Sequence, residues 1–90
     1  MQQHTADRIL DRLGLPHDLA GYPMMQLIGA RRLRVDQHQG ISTLSDTLVV
    51  VDTRRGRIAV SGTDLTVDSM DRDTVILSGF LADIDLSGLR

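Results

Sequence analysis

Apolar positions along the chain follow two different periods. From Thr5 onward they recur at Ala6, Ile9, Leu10 and Leu13, the i, i+3, i+4, i+7 spacing of one helical face. Asp7, Arg8, Asp11 and Arg12 take the other face. Thr5 suits an N-cap, Gly14 a C-terminal cap, and Leu15-Pro16 stops the run. The pattern therefore predicts one amphipathic helix over residues 5–14. A helix that short is marginal alone in water, so its apolar face must dock on the chain's own sheet or on a partner. Residues 15–23, punctuated by Gly21 and Pro23, read as a connector.

Beyond Pro23 the spacing changes to strand-like segments separated by turns. Met24–Gly29 reads as a strand, and Arg31–Asp36 alternates Arg32 and Arg34 outward with Leu33 and Val35 inward. Gln37–Gly40 reads as a turn, Ile41–Leu44 as a weak strand closed by Ser45-Asp46. Leu48–Val51 is continuously apolar and cannot put every side chain on one face. It is either a central strand covered on both sides or the strand that meets a second subunit. Arg54-Arg55-Gly56 reads as a hairpin turn before Arg57–Ser61. Gly62-Thr63-Asp64, Ser69–Asp73 and Ser78-Gly79 are further breaks, with Leu65/Val67, Val75/Leu77 and Ile84/Leu86 as the apolar pairs between and after them. Six to eight short strands in residues 24–86 give an all-β, antiparallel meander, sandwich-like fold or roll, with residues 1–90 as one domain. An alternative is a β-solenoid: Ile58-x-Val60-Ser61-Gly62 aligns with Val75-x-Leu77-Ser78-Gly79 at a shift of 17, as stacked rungs would.

Composition narrows the chemistry. All 12 acidic residues are Asp and all 10 basic residues are Arg, for a net charge of −2. Asp favours turns and caps over helix interiors, which agrees with strands and turns. Without Lys there is neither Schiff-base chemistry nor a phosphate-loop lysine. Without Cys there is no disulfide and no thiolate zinc site. The only aromatic residues are Tyr22 and Phe80, too few for a base-stacking platform, and the charge does not favour polyanions, so nucleic acid is not an expected partner. No apolar stretch reaches 18 residues and no charged-then-apolar leader is present. The expectation is a cytoplasmic chain without a transmembrane segment.

Reactive constellations are hard to find. His4, His17 and His38 lie in a tail, a connector and a turn, at no ligand spacing, and read as surface histidines. Asp71/Asp73 sit in a turn, and Asp83/Asp85 alternate outward on a strand. The Ser-Gly pairs lack a nucleophile-elbow context. The sequence is therefore read as non-enzymatic, with no catalytic residue, metal or cofactor. What stands out instead is Arg31, Arg32 and Arg34, then Arg54, Arg55 and Arg57. They form either a solvated face, neutralised by Asp36, Asp46 and Asp52, or a patch for phosphate, an acidic protein surface or anionic lipid head groups. With Leu48, Val49, Val50 and Val51 they are the candidate surface for a partner or for self-association.

The order Leu15-Pro16, Leu27-Ile28-Gly29, Leu48-Val49-Val50-Val51-Asp52-Thr53, Gly56, Ile58-x-Val60-x-Gly62-x-x-Leu65-x-Val67 and Val75-x-Leu77-x-Gly79-x-x-x-x-Ile84 resembles the YabP/YqfC family of small sporulation proteins, and YqfC more closely. The resemblance runs from Leu15 to Leu86. It implies an endospore-forming bacterium and a mother-cell protein that helps build the spore envelope, cortex or coat, without established catalysis. It further implies a protein partner, in the manner of the YqfD-like membrane proteins of sporulation, and a peripheral place at the forespore membrane. The absence of Lys and Glu departs from the family pattern. A homo-oligomer fits the same reading. A bactofilin-like self-assembling scaffold is the alternative that the shift of 17 motivates.

Overall fold

The structure, a computed structural model, describes residues 21–90. The helix expected at 5–14 and most of the connector lie outside the described residues. The rest is all-β: β1 (Met24–Ile28), β2 (Arg32–Asp36), β3 (His38–Leu44), β4 (Leu48–Thr53), β5 (Gly56–Met70) and β6 (Thr74–Asp85). They form one antiparallel sheet in the order β1-β2-β6-β5-β4-β3.

Two expected breaks are not breaks. β5 runs through Gly62-Thr63-Asp64 and β6 runs through Ser78-Gly79. The glycines are there because the two strands cross too closely for side chains. A Cβ on Gly79 would stand 2.6 Å from the Asp64 carbonyl oxygen, and one on Gly62 would collide with the carbonyl of Phe80. Gly79 has φ 137° and Asp64 φ 56°, both in the left-handed region that few side chains adopt. The ladder shifts register between Ser61 and Gly62 and again between Thr63 and Thr66. Such irregularities bend strands and increase twist.

The bends divide the sheet into two layers that share β5 and β6. The start of β6 lies between β2 and the far half of β5, with β1 outside β2. The start of β5 lies between β4 and the far half of β6, with β3 outside β4. Although β2 and β3 belong to opposite flanks of the sheet, only Gln37 separates them. The sheet must therefore fold until its flanks meet at this corner. Gln37 turns it with φ 66°, and the Asp73 carbonyl accepts from the amides of Gln37 and His38. This is the expected all-β antiparallel fold, built as one open sheet of six strands.

The β-solenoid alternative is overturned, and the bactofilin-like scaffold loses its basis with it. The two halves of the repeat lie on adjacent antiparallel strands, and the shift of 17 reflects an approximate two-fold relation between β5 and β6. Stacked rungs would instead repeat by translation. Leu33, Val35, Val75 and Leu77 from one layer and Val49, Val51, Ile58 and Val60 from the other form a single buried cluster, with Leu65 at its side. Each is a strand residue whose neighbours in sequence point outward, as period-two patterning requires.

Candidate interaction surface

The candidate residues divide sharply once placed. Val49 and Val51 are fully buried in the core, whereas Val50 is half-buried and Leu48 is 37% exposed on the other side of β4. β4 has β5 on one side and β3 on the other, so it is not a free edge. Only Leu48 and Val50 of this stretch can meet another molecule.

The arginines are paired rather than pooled. Arg32 reaches Asp68 at 3.3 Å, Arg34 reaches Asp36 at 3.2 Å and Arg57 reaches Asp52 at 3.1 Å. Exposed pairs of this kind contribute about 0–1 kcal/mol each and set charge balance more than stability. The Arg31 guanidinium lies 4.2 Å from the centre of the Phe80 ring, and its Nε donates to the Gly79 carbonyl at 2.9 Å. Arg55 covers the Tyr22 ring at 4.3 Å, donates to the Tyr22 hydroxyl at 2.7 Å and through Nε to the Arg90 carbonyl at 2.9 Å. Arg54, at the tip of the β4–β5 turn, is exposed.

Two of the four carboxylates singled out in the sequence, Asp71 and Asp85, close turns. Asp71 Oδ1 accepts from the amides of Thr74 at 2.8 Å and Asp73 at 3.0 Å. The Thr74 and Asp73 amides, in that order, hold the Asp71 carboxyl below its ordinary value; His38 and Arg34 add a smaller pull in the same direction. Asp85 is lowered likewise, by the Ser87 amide and then the Ser87 hydroxyl. Asp83 and Asp85 face outward as expected. Among the described residues no group of three or more His, Cys, Asp or Glu is placed to hold a metal ion.

His38 is not the surface turn residue that the sequence suggested. It opens β3, is 8% exposed, and stands opposite Thr53. Its Nδ1 accepts from the Gly40 amide at 2.9 Å, which leaves Nε2 to carry the hydrogen and donate to the Asp71 carbonyl at 2.8 Å. One ring thus ties β3 to the β5–β6 turn. Nothing in the run Gln37-His38-Gln39-Gly40 announces this, because the bond partner lies 33 residues away.

Sequence reasoning also missed where apolar surface is left over. Leu27 and Ile28 at the end of β1, Phe80 in β6, and Leu44 at the end of β3 are exposed. Between β1 and the far half of β6 lies an open groove of about 290 Å³ lined by Leu27, Ala30, Leu81, Ala82 and Ile84, with Asp83 alongside. Exposed side chains of this size, grouped rather than scattered, mark interaction surfaces. No helix of the described residues is long and apolar enough to cross a membrane.

The chain matches no curated protein and no solved structure. The model of the YabP family, by contrast, matches residues 21–89, the whole of the six-stranded sheet, and the chain belongs to that family.

Proposed function

We propose that this chain is a non-enzymatic sporulation protein of the mother cell that works by binding other proteins during assembly of the spore envelope. Family membership over residues 21–89 is the observation that carries this reading, since it points to a sporulation-related protein. The surface chemistry supports the binding role: Asp71 and Asp85 close turns, Arg32 and Arg57 pair with carboxylates on other strands, and apolar side chains remain exposed at β1 and β6. The partner is a membrane-bound sporulation protein of the YqfD kind, which holds the chain peripherally at the forespore membrane. Cortex or coat formation is the step served.

Deletion of the gene from its endospore-forming host tests this. The expected result is fewer heat-resistant spores, with a thin or disordered cortex or coat in electron micrographs, and a tagged copy that outlines the forespore from the mother-cell side. Normal yields of heat-resistant spores from the deletion strain would overturn the proposal.

A further inference from the structure

A folded sheet leaves edges, and an edge strand offers unpaired backbone donors and acceptors to any strand that can lie beside it. The stretches open to such pairing here differ in how they are guarded. β3 shifts register twice, between His38 and Gly40 and between Ile41 and Thr43, and bulges spoil an edge as a template. The far half of β6 carries exposed Asp83 and Asp85, and the far half of β5 carries Asp64 and Asp68 together with register shifts. β1 has no such guard. Its register against β2 is regular from Met24 to Ile28, its sequence is Met-Met-Gln-Leu-Ile, and no strand lies beyond it among the described residues. Leu27 is 53% exposed and Ile28 60%.

We propose that the outer edge of β1 pairs antiparallel with β1 of a second copy of this chain, about a two-fold axis at Gln26. A symmetric dimer must be complementary to itself, so each residue meets its own mirror position. Centred on Gln26, the pairing sets Leu27 against the second copy's Met25 on the inner face. On the outer face it sets Ile28 against Met24, and Gln26 against Gln26. Both apolar side chains that β1 exposes are covered, and the two central amides can bond to each other. The charge pattern permits it: the twelve residues from Leu19 to Ala30 between Asp18 and Arg31 are all uncharged, the longest such run in the chain. No like charges are brought face to face, which in a directly opposed pair would be destabilising. A stable interface buries about 800 Å² per partner. A five-residue strand offers less than that, so the dimer forms only at high concentration.

Sedimentation of the full chain over a concentration series tests this. The mass should rise from 9.9 kDa toward twice that value. Gln26→Glu and Gln26→Arg each place like charges on the axis, and each variant should remain a monomer throughout. Their equimolar mixture should dimerise at lower concentration than the unaltered chain. Dimers that persist in either variant, or a mixture that stays monomeric, would overturn the proposal. Hydrogen exchange of the unaltered chain gives an answer independent of any variant: β1 amides should gain protection with concentration, and exchange rates that do not change would also overturn it. The outcome is separate from the sporulation role, which stands or falls with the deletion strain.

Discussion

β2 meets β6 as β4 meets β5. In the first pair Leu33 stands opposite Leu77 and Val35 opposite Val75; in the second, Val49 stands opposite Val60 and Val51 opposite Ile58. The hairpin loops match too. Ala30 and Arg31, after β1, accept from the amides of Leu81 and Gly79 at the bend of β6; Asp46 and Thr47, after β3, accept from those of Leu65 and Gly62 at the bend of β5. The interior of one half is nearly the other rotated. The perimeters are not: β1 is regular and apolar, whereas β3 is bulged twice and tied at its start by His38. Packing constrains both halves to the same solution, and the edges are where they are free to differ. Recognition by this molecule should therefore depend on the perimeter, and stability on the shared interior.

The strongest way to break the comparison is to hollow each half in turn. Leu77→Ala and Ile58→Ala should each cost about 3 kcal/mol, because each removes a fully buried side chain from the same cluster. Urea unfolding should show a lower midpoint with an unchanged slope for both variants. Hydrogen exchange should then accelerate across β2 and β4 alike. If Ile58→Ala loosened only β3, β4 and the start of β5, the two layers would be separate folding units instead of one.

A smaller effect is expected where the halves differ. His38→Ala removes a ring that satisfies the Gly40 amide and the Asp71 carbonyl, at a cost of about 1–2 kcal/mol. The first half has no counterpart, so faster exchange should be confined to Gln37, Gly40 and the β5–β6 turn. An unchanged midpoint would mean that backbone bonds alone hold the corner.

How much of this was legible in the sequence follows from the range of the interactions involved. Alternation at Leu33/Val35, Ile58/Val60 and Val75/Leu77 reports a burial that period-two geometry enforces locally, so the strands and their inward faces could be read directly. Gly62 and Gly79 were read as breaks because a glycine between strands usually turns the chain; here each makes room for a backbone on the neighbouring strand, which a linear pattern cannot show. The shift of 17 was visible, but translation and rotation leave the same trace in one dimension. Leu48–Val51 is apolar at every position, so period two could not say which pair faces in; that Val49 and Val51 are inside, and that β4 has neighbours on both sides, depended on the strand order. The arginine clusters dissolved into pairs because Arg32 finds Asp68 across two strands.

The least of the expected effects concerns how the turns are closed. The β3–β4 turn is held by a hydroxyl, Ser45 Oγ, which accepts from the amides of Leu48 and Thr47; the β5–β6 turn is held by the Asp71 carboxylate in the same manner. The two should part company in acid. Because the Thr74 and Asp73 amides favour the charged form, Asp71 has a lower value in the folded chain than its ordinary 3.8. Its contribution is therefore complete above that ordinary value and is lost as pH falls through the lower folded one. The stability difference between the parent chain and Asp71→Asn should be constant from neutral pH down to about the ordinary carboxylate value, then shrink toward zero. Asp85 is lowered too but is present in both proteins, so it cancels in the difference. Ser45→Ala should lower stability by the same amount at every pH, since the hydroxyl does not ionise. A difference for Asp71→Asn that stayed flat into strong acid would mean that the turn is held by geometry rather than by the carboxylate's charge.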